Sequence, residues 1–205
     1  MNRSAMWSFL RIFTSLLAPL ALIACSGESA APVDERPPLE GAAIGGAFTL
    51  VDENGSTVEW SDFKGRYRII YFGYTFCPDA CPLDVQAMMA GFSRFEDESP
   101  ALAEKVQPIF VSIDPARDTP PIVGEFTAAF HPRLLGLTGT TEQVAAAAKT
   151  FAIYYQRGED TPQGGYLMDH SRQAYLMDPE GKPIAILAID KGPDAVAADL
   201  AKWVR

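Results

Sequence analysis

From residue 44 onward the apolar positions switch between strand-like and helix-like spacing, and the switches outline the elements. Residues 47–51 and 56–60 flank Asp52-Glu53-Asn54-Gly55; Asn54 and Gly55 both tolerate positive φ, so the stretch predicts a hairpin. Residues 68–74 are apolar on both parities, as expected of a central strand covered on its two faces. From Leu83 to about Glu98, Val85, Met88, Met89, Phe92 and Phe95 recur at helical spacing, and the segment stops at Ser99-Pro100.

Residues 106–113 read as a second buried strand. Asp118 then offers an N-cap, with Pro120 and Pro121 suited to the first turn of a helix that runs to about Phe130. A short strand over 134–137 precedes Thr140 and Gln143, which fit a capping box before an alanine-rich helix ending at Lys149. Residues 151–156 suggest a further short strand, and 157–165, polar and glycine-containing, read as a loop. Residues 172–177 and 183–188 around a turn at 178–181 form a second hairpin, and a helix spans about 193–204. The expectation is an α/β sandwich of thioredoxin type: a central mixed sheet flanked by helices, with an N-terminal hairpin.

The first 43 residues are of another kind. Arg3 and Arg11 precede an apolar run over 12–24 that ends Leu22-Ile23-Ala24-Cys25, similar to the lipobox of bacterial lipoproteins. Residues 1–24 are therefore read as a leader, with cleavage before Cys25 and lipid on that cysteine. An uncleaved anchor, a soluble secreted protein and a buried core helix remain the alternatives. Residues 25–43, rich in Pro, Ala and charge, read as a flexible tether, and 44–205 as the folded domain. The expected location is the periplasmic or another extracytoplasmic face of a membrane.

Charge narrows the partners. The net charge is −9, and no acidic residue precedes Cys25, so removal of the leader makes the chain more negative. Nucleic-acid binding is not expected of such a surface. With Cys25 lipidated, only Cys77 and Cys81 of the 3 cysteines remain for the domain. A disulfide between them would close so short a loop that it removes little unfolded-state entropy, so their closeness points to chemistry.

Cys77-Pro78-Asp79-Ala80-Cys81 stands where a strand gives way to a helix, and the four-residue spacing predicts both sulfurs on one side of the first helical turn. A helix N-terminus favours thiolate, the form that binds metal or attacks a disulfide. Two small core cysteines are the bland alternative. The surrounding stretch YFGYTFCPDACP (residues 71–82) closely resembles the signature of the Sco/SenC family, copper proteins of cytochrome oxidase assembly. VSIDPARDTP (111–120), HPRLLGLTG (131–139), DHS (169–171) and YLMDPEG (175–181) agree with that family in the right order, from about Ile44 to the C-terminus.

The resemblance implies that Cys77, Cys81 and His170 are copper ligands, and that the protein helps mature the binuclear CuA centre of cytochrome c oxidase. The partners it implies are the oxidase's copper-accepting subunit and, beside it, other copper chaperones or thiol reductants. Chemistry agrees independently: two thiolates suit soft Cu(I), and an added imidazole makes a site for Cu(II), although zinc would accept the same donors. The resemblance also places Asp114 near the cysteines, where a supporting or redox-tuning role competes with ordinary turn chemistry. Asp169 and Met168, beside His170, read as an exposed loop acid and an incidental thioether, and Tyr71, Phe72, Tyr74 and Phe76 as core packing. His131, before a proline, reads as a helix-end cation.

Two functions compete: a copper metallochaperone, and a thiol-disulfide oxidoreductase that reduces an oxidase subunit with Cys77 as nucleophile and Cys81 as resolving thiol. His170 separates them, because disulfide exchange has no need of it. A peroxide-reducing or redox-sensing protein is a third class, for which Thr75-Phe76-Cys77 has the wrong spacing.

Overall fold

Successive side chains of the two central strands are buried on opposite faces of the sheet, which divides the interior into two layers. A computed structural model describes residues 35–162 and 164–205; the expected leader, Cys25 and residues up to 34 lie outside them. β3 (Tyr67–Gly73) and β4 (Val106–Ser112) pair in parallel at the centre. Ile69 and Tyr71 point into one apolar layer with Val85, Phe92 and Phe95, while Ile70 and Phe72 point into the other with Val144 and Phe151. A strand with both parities buried is what the sequence pattern of 68–74 requires.

Seven strands make the main sheet, in the order β2 (Thr57–Glu59), β1 (Thr49–Asp52), β5 (Leu135–Thr138), β4, β3, β8 (Ala174–Met177), β9 (Pro183–Ile186). β4–β5 is parallel; β1–β5, β3–β8 and β8–β9 are antiparallel, so the sheet is mixed. α1 (Ala80–Glu98) and α5 (Pro193–Trp203) cover the first layer, and α4 (Thr141–Thr150) packs on the second. α2 (Pro100–Ala103) and α3 (Pro120–Ala128) complete the helices. The expected capping box of α4 is present, with Thr140 and Gln143 satisfying each other's backbone N–H groups. Among the described residues no helix is long and apolar enough to cross a membrane.

The expected first hairpin forms, with Gly55 at positive φ (+78°) and Asp52 accepting the N–H groups of Asn54 and Ser56 at 2.9 and 2.8 Å. Three other local expectations are corrected. α1 starts at Ala80, three residues earlier than the hydrophobic spacing alone predicts, and so takes Cys81 into its first turn. The N-cap of α3 is Thr119, not Asp118, whose carboxylate is turned inward. Finally, the expected strand 151–156 begins only at Tyr155 and runs into the first four residues of the expected loop 157–165 as β6 (Tyr155–Asp160), paired with β7 (Tyr166–His170) in a separate two-stranded sheet.

The stretch before β1 is tied down as well. Leu39, in the expected tether, donates its N–H to the Ile184 carbonyl on β9 at 3.0 Å. The helix that carries Cys81 is held by close packing: a Cβ at Gly91 would lie 2.5 Å from Val196 Cβ and 2.7 Å from the Pro193 carbonyl oxygen of α5. Gly91→Ala is therefore expected to destabilise the protein by about 1–3 kcal/mol, because neither neighbour is a flexible side-chain end. Urea denaturation tests this, and an unchanged midpoint would show that the α1–α5 contact yields freely.

Candidate metal and thiol site

Cys77 leaves β3 in a tight turn and stops short of the helix, whereas Cys81 sits inside it. The expected four-residue juxtaposition is realised through the backbone: the Cys81 N–H donates to Cys77 Sγ at 3.3 Å. Both cysteines are free thiols, Cys77 half-buried and Cys81 with 0% exposure. Burial resists ionisation of Cys77, but hydrogen bonds from the Cys81 and Asp79 backbone, the Cys81 thiol and the Tyr74 hydroxyl outweigh it and hold its pKa below the ordinary range. Burial pushes the Cys81 thiol up to about 12, with the neighbouring Cys77 adding to the rise. The pair is thus asymmetric, with one thiol poised to ionise and one kept protonated.

His170 closes the site from the other side. As the last residue of β7 it reaches Cys81, with Nε2 at 3.2 Å from Sγ. Its Nδ1 lies 2.7 Å from the Ser171 carbonyl oxygen, which can only accept, so Nδ1 carries the proton and the Nε2 lone pair faces the thiol. Burial keeps the imidazole pKa below its usual value, and the ring stays neutral near pH 7. Tyr71 and Tyr74 present themselves edge-on to it at 6.2 and 5.9 Å, both rings at 86°. Cys81 thus stands between the Cys77 sulfur and a neutral imidazole nitrogen, and these three donors are of a kind that suits a soft or borderline metal. Among the described residues no group of three or more His, Cys, Asp or Glu is gathered closely enough to hold a metal ion; Cys81 touches Cys77 and His170 in two separate pairwise contacts.

The supporting residues differ from the sequence reading. Asp114 is buried, accepting from the Tyr166 hydroxyl at 2.7 Å and Arg117 Nε at 2.6 Å, so it fastens the β6–β7 ribbon to the end of β4. Arg117 lies 3.7 Å from the centre of the Tyr166 ring and 4.9 Å from that of Phe76. Phe76 is half-exposed beside Cys77, unlike Tyr71, Phe72 and Tyr74, which are core as expected. Asp118 accepts the Thr75 N–H at 3.0 Å, the Thr75 hydroxyl at 2.6 Å and the Ser112 hydroxyl at 2.5 Å, pinning the turn before Cys77 to β4.

Met168 is buried in the second apolar layer. His131 belongs elsewhere, with Nε2 2.9 Å from Glu96 and its ring against Phe92 in the other layer. Sequence reasoning missed Asp84 and Arg172 altogether. Arg172 grips both oxygens of the buried Asp84 carboxylate at 2.6 and 2.8 Å, beside the Tyr71 hydroxyl.

Comparison with known proteins agrees with this architecture. The family model described as SCO1/SenC matches residues 36–205. Protein SenC of Rhodobacter capsulatus is 42% identical over 157 residues, covering 76% of this chain and 68% of that protein. The mitochondrial protein SCO2 of Saccharomyces cerevisiae is 42% identical over 146 residues, 71% of this chain and 48% of that one. The chain spans about half to three fifths of the length of the yeast relatives, 48% and 59%. Among solved structures, Bradyrhizobium japonicum ScoI with copper bound superposes with a TM-score of 0.71 at 36% identity, covering 79% of this chain and all of that one. At 20% identity and a TM-score of 0.55, a thioredoxin domain from Bacteroides vulgatus shares the fold, over 79% of this chain and 96% of that domain. A match that runs unbroken from the segment before β1 to the last residue leaves no doubt of kinship: this chain belongs to the SCO1/SenC family.

Proposed function

We propose that this protein is a copper metallochaperone that holds one copper ion between Cys77, Cys81 and His170 and delivers it to the CuA site of cytochrome c oxidase. The observation that carries the reading is the approach of the His170 Nε2 lone pair to Cys81 Sγ at 3.2 Å, with Cys77 Sγ on the Cys81 N–H. A disulfide enzyme does not require an imidazole at its buried thiol, whereas a metal site built on these thiols gains its third donor from it. Copper is the cargo. The two sulfurs would satisfy Cu(I), and the imidazole would make room for Cu(II). Of the two thiols Cys77 is the more open, so an accepting thiolate or imidazole on the partner would begin ligand exchange there.

Membership in the family supports the choice of an oxidase subunit as acceptor, and the copper-bound relatives support the cargo. Copper-loaded protein mixed with the copper-free, reduced CuA domain of an oxidase subunit should generate the CuA absorption spectrum as its own copper signal falls. Failure of that transfer, with equal loading from free copper when the thiols alone are present, would favour the second reading.

That second reading is thiol-disulfide exchange, and the asymmetry of the thiols favours it. The Cys77 thiolate would attack a partner disulfide, releasing one partner thiolate and forming a mixed disulfide. Cys81, giving its proton to the partner thiolate released first, would attack Cys77 sulfur and release the second, leaving the pair oxidised and the partner reduced by two electrons.

For anchoring, we propose lipidation of Cys25, on its Leu22-Ile23-Ala24-Cys25 context, holding the domain at an extracytoplasmic membrane face. Cys25→Ser should lose lipid label while the purified domain still binds copper; unchanged labelling would end this assignment.

A further inference from the structure

We propose that Arg172 is a positioning residue for copper binding, acting through a clasp with Asp84 that sets His170 against the thiols; this rests on the three-donor reading above. Two elements meet at this site, and they are joined twice. α1 contributes Cys81 and, one turn on, Asp84; the chain at the end of β7 contributes His170 and, two residues on, Arg172. Cys81 meets His170 at 3.2 Å, and Asp84 meets Arg172 through Oδ1–Nη2 at 2.6 Å and Oδ2–Nε at 2.8 Å. The second contact fixes angle as well as distance, because a guanidinium fork on both carboxylate oxygens cannot rotate as a single hydrogen bond can.

The remaining capacity of Asp84 ties the clasp to the imidazole. Its Oδ2 also accepts the Tyr71 hydroxyl at 2.9 Å, and the same Tyr71 ring, fully buried, meets His170 edge-on. The ribbon bearing His170 needs such a tie, because β6 and β7 pair only with each other and not with the seven-stranded sheet. At its far end the ribbon is fastened by Tyr166 to Asp114 and by Arg117 to the Tyr166 carbonyl at 2.9 Å. At its near end Ser171 bonds Tyr154 on the ribbon's own side, and besides the His170 contact with Cys81 it is Arg172 that reaches across to α1. With 55% of its side chain exposed, Arg172 comes in from solvent to a carboxylate that is 6% exposed. An arginine placed only for solubility would not make that contact.

The test compares Arg172→Ala and Arg172→Lys with the wild type. In the copper-free proteins, nuclear Overhauser contacts between the His170 ring and the Tyr71 and Tyr74 rings should weaken in Arg172→Ala. Loss of Cu(II) to excess chelator should accelerate about ten- to hundredfold, the usual effect of removing a residue that orients a ligand. Arg172→Lys, which keeps the charge but not the fork, should fall between, and the reaction of Cys77 with a small disulfide should stay at the wild-type rate. Wild-type ring contacts and Cu(II) loss in folded Arg172→Ala would overturn the proposal. Should that variant fail to fold, because the buried Asp84 charge is left alone, the same result in Arg172→Lys would do so. A parallel loss of ring contacts, copper and thiol reactivity would overturn it too, marking Arg172 as support for the whole fold. If the wild type holds no copper, the three-donor reading fails, while the ring contacts still decide the clasp.

Discussion

Cys81→Ser is expected to abolish copper retention and thiol-disulfide exchange together, while the protein stays folded. Cys81 is the residue through which the site is joined: its N–H holds Cys77 Sγ, its sulfur meets His170, and its ring of neighbours includes Gly73, where a Cβ would come within 3.3 Å of the sulfur. Serine is close in size, so the fully buried position tolerates it at about 1 kcal/mol. Its oxygen, however, is a hard donor that cannot replace a thiolate on Cu(I), and it cannot form a disulfide. The expected loss of copper affinity is at least about a thousandfold, equivalent to roughly 4 kcal/mol. Competition against a chelator of known copper affinity measures it. Retention of wild-type affinity would remove Cys81 from the site.

His170→Ala should separate the two functions that the cysteine variant loses together. Removing the neutral Nε2 leaves two sulfurs, enough for Cu(I), and takes away the only nitrogen proposed for Cu(II). Cu(II) binding should fall by about a hundredfold or more, as for loss of a directly bound ligand, while Cys77 and Cys81 still form and exchange a disulfide. In cells at limiting copper, with the variant at wild-type level, metallochaperone action predicts an oxidase nearly as deficient in CuA as in a cysteine variant. Thiol reduction predicts an almost silent substitution. Normal CuA assembly in the His170→Ala strain would promote the reductase reading over the chaperone.

How much of this was legible in the sequence depends on whether a local pattern carried it. β3 was readable because both its parities are apolar, and α1 because Val85, Met88, Phe92 and Phe95 keep helical spacing. The Cys77–Cys81 pair was legible from its place between those two elements. His170 emerged from the family motif, but its structural setting did not. β6 and β7 form a thin ribbon, and β6, from Tyr155 to Asp160, has mostly exposed side chains, so there was no apolar alternation to mark a strand.

Asp118 stood at a position that fits a helix start, and the sequence had no means of showing that Thr75, 43 residues earlier, claims its carboxylate. The Asp84–Arg172 pair spans 88 residues and joins an acidic position in α1 to an arginine between two strands. Pairings of that kind arise from the fold and leave no periodic trace. The same holds for Arg68, which interrupts an apolar strand yet is buried, its guanidinium over the Trp60 ring and bonded to the Asp178 carbonyl at 2.6 Å.

The account rests most directly on the metal content of the purified domain. Residues 36–205, reduced and loaded with Cu(I) or Cu(II) and then desalted, should hold one copper per chain with sulfur and nitrogen in the X-ray absorption shell. The Cys77→Ser/Cys81→Ser protein, equally folded by circular dichroism, should hold none. Copper retained at wild-type stoichiometry by that double variant, or a wild-type shell without sulfur, would contradict a site built on Cys77, Cys81 and His170.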